Sequence, residues 1–559
     1  MFHADVIQNL ILNQAFCAIH IFYSCCLLSI FFMKKLLFLL LLSLFFTACE
    51  KDFEEINKNP YNPTSTSMEA LFNGIVGSLQ LGWNEQFYVH NEKLYEATQL
   101  GALTAHAWLN TAIGLDETWN RYYDALKNIR ELESRFDAYP GDQAELNNVR
   151  AMLKVLLAYK TFYVTDQFGD IPFFDAGKGI QDIKYLRPKY DSQETIYKFL
   201  LDELEWAAEN IEINPAATTP GGKPYYSFGA FDALFGSDMN KWRRFANSLR
   251  LRHAMRMVEK DRAFAEPIIA DILTNQLPVV RKGEEVLLVP QKLGFDKLST
   301  HWSFREHRNL RLGTTLWKML SPNNKPDGSG IIDPRAYIFA ETNNAGQWTP
   351  YPNVIPPGET VPVEGGVPYG GQRDVNFDFK GASCVFSPFH YYLIRDENDV
   401  PEILLTAAEM HFLKAEAYKR GIGVPADDFQ AEIEYNDGIS ASISFWYGVA
   451  QKCGIWQNAP AIDQTQIFQY IFNPAVSFGA NGFKLEFIYA QQWLDMFRQP
   501  WEAWALARRT GKTPHEGEPL QYFRLVYPAG EAAYNGDNLQ AQIGRMGGDR
   551  NDVKLWWMP

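Results

Sequence analysis

Three stretches of this 559-residue sequence set aromatic rings among planar polar or turn-forming residues. They are HAWLNT, with Trp108 and Asn110; THWSFREHRN, with Trp302 and Arg305; and NNAGQWTPYPN, with Trp348 and Tyr351. A ring face is an apolar plane that stacks on another plane, while an amide or guanidinium donates hydrogen bonds from a fixed fork. Together they suit a ligand that has an apolar C–H face and a rim of hydroxyls, as a sugar ring does. None of the three stretches carries helical apolar spacing, so each is expected on a loop, where rings and polar groups reach a ligand together. Trp119, in ETWNRYYDALKNI, fits helical packing and is left out of the set. Phe, Trp and Tyr make up 14% of the chain and include fifteen Trp, more rings than a core requires. That excess points to a surface that stacks on sugar rings or on a protein partner.

Reactive constellations are missing from the sequence. It contains no HExxH, no Gly-x-Ser-x-Gly elbow, no Walker loop and no GxGxxG opening a helix. The ten His are scattered, and His301 and His307 stand six apart, a poor metal pair. No enzymatic activity, cofactor or metal is therefore expected. A surface glycosidase is the enzymatic alternative, because the separation of two carboxylates is set by the fold. The formal net charge of −14 argues against nucleic acid as a partner.

Residues 33–60 read MKKLLFLLLLSLFFTACEKDFEEINKNP. Lys34 and Lys35 precede an apolar run too short to span a bilayer, and Thr47-Ala48-Cys49 is a small-residue cleavage site ending in cysteine. The segment resembles a bacterial lipoprotein signal, in which Cys49 would be lipidated. Residues 1–32 are then expected to be an upstream extension, 33–48 the signal peptide and 49–66 a lipidated tether, with 67–559 as one domain. Cys17, Cys25 and Cys26 fall upstream, leaving Cys384 and Cys453 as buried thiols or at most one disulfide.

The elements that must hold the three stretches are mainly helical. NVRAMLKVLLAYKTFYVTDQFGD repeats apolar residues at three and four, predicting a helix with one buried face. SQETIYKFLLDELEWAAENI predicts another, with Ser192 as N-cap. In DMNKWRRFANSLRLRHAMRMVEKD, Asp238 can cap while Trp242, Phe245, Leu249 and Met255 line one side, with the arginines opposite and paired to carboxylates. In FGDIPF the Gly-Asp pair ends a helix and Pro172 turns Ile171 extended; in EAWALARRTG, Gly511 is a natural helix end. Such pairs suggest degenerate tetratricopeptide-type repeats, although no 34-residue register survives. Residues 282–400 change character, crowding Gly and Pro into SPNNKPDGSGIIDP and YPNVIPPGETVPVEGGVPYGGQRD, which predicts a loop-rich insertion with short strands. The domain divides accordingly into a helical part at 67–281, this loop-rich part, and a helical part at 401–559.

The order and wording of NKNPYNPTS, TDQFGDIPF, KWRRFANSLRLRHAMR, DPRAY, AAEMHFLKAEAYKRG, YNDGISAS, AQQWLDMF, EAWALARRTG and FRLVYPAGE resemble the SusD/RagB family of outer-membrane nutrient-binding lipoproteins, in its SusD-like branch. These pieces span nearly the whole chain after Cys49. The resemblance implies a SusD-like helical scaffold anchored by lipid to the outer face of the outer membrane. It also implies a bound glycan or oligosaccharide and a SusC-like TonB-dependent transporter as partner, and CEKDFEE looks like a surface-export signal. A peptide ligand, as for RagB-type members, is the alternative, and a transporter subunit that binds no nutrient a more distant one.

Overall fold

The computed structural model describes residues 66–104, 112–179, 181–289, 309–361, 384–394 and 400–559. Cys49, Trp108, Asn110, His301, Trp302, Arg305 and His307 lie outside the described residues, as do the signal segment and nearly all of the tether.

Within the unit Met68–Pro559 the chain is mainly helical. The N-terminal helices are α1 (Met68–Gly77), α2 (Leu115–Asp137), α3 (Asn147–Phe168), α4 (Gln193–Asn210), α5 (Met239–Met257) and α6 (Arg262–Thr274). From α2 onward each packs on the next, so consecutive helices form side-by-side pairs. A short helix, α7 (Thr314–Leu320), sits in the loop-rich part. The C-terminal part adds α8 (Ala407–Arg420), α9 (Asp428–Lys452), α10 (Leu485–Asp495) and α11 (Pro500–Thr510). Here α8 packs on both α9 and α10, and it also meets α5, joining the two helical parts. Among the described residues, four short strands form two separate antiparallel pairs: β1 (Ala102–Leu103) with β3 (Leu310–Arg311), and β2 (Val286–Leu288) with β4 (Glu402–Leu405). Between α1 and β1, residues Glu85–Leu94 wind as a π-helix.

Local chemistry explains several boundaries. The Ser192 hydroxyl accepts from the Thr195 amide to start α4, and the Asp238 carboxylate accepts from the amides of Asn240 and Lys241 to start α5. Gly511 ends α11 with φ of 61°, a left-handed conformation that glycine adopts without a Cβ clash. After α3, Ile171 pairs with Asp191 in an isolated bridge, the extended turn expected before Pro172.

Two helices differ from their sequence pattern. α3 was expected to bury one face, yet every residue after Asn147 except Arg150 and Lys154 is buried. Neighbours cover it on all sides, so its buried polar side chains take their partners from inside the protein. Lys160, for example, donates to the Ser78 carbonyl at 3.0 Å. In α5, Arg250, Arg252 and Arg256 do not face solvent but enter the interior beside the aromatics, while Arg243 and Arg244 stay half-buried. Arg250 reaches Glu205 at 2.7 Å and Asp271 at 3.1 Å. Arg252 is bidentate to Glu409 of α8 and contacts Glu502 of α11 at 3.2 Å. Arg256 bridges Asp166 of α3 and Glu502. Asp166 also accepts from Trp557 Nε1 at 2.8 Å and from the Tyr197 hydroxyl. Burial works to raise the Glu502 carboxyl, but Arg252 and Arg256 outweigh it and hold the group below its ordinary value.

The DPRAY segment is equally internal. Arg335 and Asp333 are fully buried, paired at 2.7 Å, and Arg335 also donates to Ser442 at 2.9 Å and Gln491 at 2.6 Å. Cys384 and Cys453 are buried free thiols.

Candidate functional site

Gln99 ends the short helix Tyr95–Thr98 in the left-handed region, with φ of 55°, and turns the chain into β1. Its side chain holds that turn. Oε1 accepts from the Thr315 hydroxyl at 2.5 Å and the Glu516 amide at 2.7 Å, and Nε2 donates to the Glu516 carbonyl at 2.9 Å. β1 then pairs with β3 in the register Ala102↔Arg311 and Leu103↔Leu310, and the Thr104 amide donates to the Asn309 carbonyl at 2.9 Å. Beyond β3, the Tyr351 amide donates to the Leu312 carbonyl at 2.8 Å, and the Thr314 amide donates back to the Tyr351 carbonyl at 3.0 Å. Gly313 and Tyr351 thereby form a parallel bridge.

Asn353 locks the three segments together. Its Nδ2 donates to the Gly101 carbonyl at 2.8 Å, its Oδ1 accepts from the Thr315 amide at 3.0 Å, and its own amide donates to the Thr314 hydroxyl at 3.0 Å. The approach is close enough that a Cβ on Gly313 would lie 2.4 Å from Asn353 Oδ1, so this position has no room for a side chain.

The cluster therefore brings together, by backbone pairing, the described borders of all three ring-bearing stretches. Thr104 stands two residues before HAWLNT, Asn309 closes THWSFREHRN, and Tyr351 lies in NNAGQWTPYPN. These positions are far apart in sequence and adjacent in space.

The side chains of the third stretch lie inside the protein. Trp348 is 7% exposed and stacks on Trp317 with ring centroids 5.2 Å apart and an interplanar angle of 12°. Tyr351 is 4% exposed and meets Phe386 edge-on at 4.8 Å. The turn-rich sequence around them led to an expectation of display; the rings of Trp317 and Phe386 cover them instead. The exposed ring next to this stack is Tyr337, 47% exposed and edge-on to Trp348 at 6.2 Å. Sequence reasoning missed Tyr337 because it sits in DPRAY, read as scaffold. It also missed Gln99 and Asn353, which act through backbone contacts that leave no periodic signal.

Two cavities adjoin the cluster. One, of about 640 Å³, is lined by residues including Glu96, His515, Tyr522, Arg550 and Asp552. Burial pushes the Glu96 carboxyl up to about 7, against the lowering effect of the Leu103 amide that donates to it at 3.2 Å. The other, of about 510 Å³, is lined by residues including Lys318, Tyr470, Phe487, Gln491 and Lys512. Among the described residues, no group of three His, Cys, Asp or Glu is placed to hold a metal ion. No described helix is long and apolar enough to cross a membrane.

A family profile described as SusD-like, "starch-binding associating with outer membrane", matches residues 60–514. Solved structures share the fold across most of the chain. A chitin-binding protein is 22% identical, with a TM-score of 0.66, over 88% of this chain and 100% of its own. A SusD homologue from Bacteroides fragilis is 19% identical with a TM-score of 0.66, over 88% and 100% of the two chains. One from Parabacteroides distasonis is 20% identical with a TM-score of 0.66, over 88% and 98%. No curated protein matches the chain.

Proposed function

Because the chain belongs to the SusD-like family, we propose that it is a cell-surface lipoprotein that captures a glycan or oligosaccharide and passes it to a SusC-like TonB-dependent transporter of the outer membrane. The observation that carries the reading is the splice at β1 and β3. Thr104, Asn309 and Tyr351 are held within one hydrogen-bonded cluster, so three stretches rich in rings and planar polar groups start or end at one place. In this reading Trp108 and Trp302 supply stacking faces, with Asn110 and Arg305 as hydrogen-bond donors, while Trp348 and Tyr351 are buried and pack the cluster. The family's description and a structural neighbour that binds chitin support a saccharide as ligand. Lipidation at Cys49 tethers the binder beside the pore, which raises the local concentration of ligand so that modest affinity suffices.

Calorimetry tests the site. Wild type, Trp108→Ala and Trp302→Ala are titrated with maltoheptaose, chitohexaose and mixed peptides. Loss of one stacked ring is expected to weaken glycan binding about tenfold. Unchanged binding in both variants refutes the site, and binding of peptides but no glycan transfers the ligand class to the RagB-type alternative.

A further inference from the structure

Away from the β1–β3 cluster, a cavity of about 450 Å³ opens where the segment after FGDIPF meets the C-terminal region. Its walls include Tyr123, Tyr185 and Tyr534, together with Asp124, Glu531 and Asn535. Tyr534 ends the helical turn Ala529–Tyr534 and is 79% exposed, so its ring face is open to a ligand at the cavity wall. The polar wall is fixed in place. Glu531 accepts from the Tyr190 hydroxyl at 2.8 Å and from Trp119 Nε1 at 3.3 Å, and Asn535 Nδ2 donates to the Pro188 carbonyl at 2.9 Å. At the rim, Lys127 pairs with Asp124 at 3.0 Å, an exposed pair that opens at little cost.

We propose that this cavity is a second saccharide subsite, which takes one neutral sugar unit against the Tyr534 ring. The chemistry selects that class. A carboxylate has about four lone-pair positions; Tyr190, Trp119 and, at 3.4 Å, Asn535 occupy three on Glu531, so the fourth and the Asp124 carboxylate are the acceptors that match sugar hydroxyls. An apolar peptide side chain seated there would strip water from those acceptors without replacing it. An acidic sugar would meet the Asp124 and Glu531 charges against Lys127 alone, so the wall favours a neutral sugar. The volume lies within the range of small-ligand sites, and phenol rings carry the stacking plane.

The subsite shares no lining residue with the first cluster, so it is tested in a background where the first is disabled. Trp108→Ala/Trp302→Ala protein is titrated with maltoheptaose and chitohexaose, with and without Tyr534→Ala. Residual binding to one of these glycans at one site per protein is expected, weakened about tenfold by Tyr534→Ala. Because Tyr534 is exposed, the thermal midpoint should not move, which separates loss of contact from loss of fold. Residual binding unaffected by Tyr534→Ala overturns the subsite and leaves the first site standing. Absence of residual binding while wild type binds does the same. Wild type that binds neither glycan overturns both, and displacement of Tyr534-dependent binding by a leucine-rich peptide assigns the cavity to protein.

Discussion

Replacing Arg256 with methionine removes the charge that joins Asp166 on α3 to Glu502 on α11 while roughly preserving volume. All three side chains are buried, at 7% exposure or less. Glu502 keeps Arg252 at 3.2 Å, but Asp166 keeps only neutral donors on its carboxylate, Tyr197 and Trp557. Leaving a buried charge without its partner typically costs about 3–5 kcal/mol, a large share of the roughly 5–15 kcal/mol that holds a domain folded. Burial already raises the Asp166 carboxyl, and Arg256 is the first counterweight; without it the group rises further. The folded variant then holds a proton that the unfolded chain releases near pH 4, so its stability falls as pH climbs through the raised value. Urea unfolding at pH 5.5 and pH 8 measures both effects. The expected result is a loss of about 3–5 kcal/mol at pH 8 and a smaller loss at pH 5.5. A loss below about 1 kcal/mol, or one equal at the two pH values, refutes the argument that this charge is required by its buried partners.

Asn353→Ala should free the Gly101 carbonyl and the Thr315 amide, at about 1–2 kcal/mol locally. Amide exchange at Thr104 and Thr315 should quicken while the α3 amides hold; uniform quickening would contradict a local latch. Burial is the main cause that raises the Glu402 carboxyl from 4.5 to about 8, partly opposed by the Leu81 amide. The folded state therefore keeps this proton longer than the unfolded chain, and stability should decline between about pH 5 and pH 8. Glu402→Gln should flatten that decline, and an unchanged slope would assign it to other groups. Mass spectrometry of the native protein should find an acylated peptide beginning at Cys49, and Cys49→Ala should release the protein from the outer membrane; retention of the variant counts against the tether. Mild detergent extraction should co-purify a TonB-dependent transporter, and a protein that runs alone beside expressed transporter argues against the delivery role.

The helical frame was readable because its signals are local. Ser192, Asp238 and Gly511 act within one turn of themselves, and the apolar spacing of α4 is a property of consecutive residues. Environment was harder to read. Lys160 and Arg252 look like solvent-facing positions until Ser78 and Glu409, distant in sequence, are brought beside them. Trp348 and Tyr351 show the same limit in reverse: their neighbours favour a turn, but Trp317 and Phe386 decide whether the rings are covered. The pairing of β1 with β3 lies below any periodic signal, since two residues on each side cannot alternate visibly. Yet the choice of three ring-bearing stretches needed no such pairing, because ring and fork chemistry is a property of residue type.

The splice at Thr104 and Asn309 also bears on how such a receptor could diversify. Both ends are fixed by backbone hydrogen bonds, which depend little on which side chains lie beyond them. Doubling the length of a connection between fixed ends costs only about 0.6 kcal/mol in closure entropy. Sequence changes beyond Thr104 or before Asn309 therefore leave the bond of the splice itself in place, because that bond joins main-chain atoms.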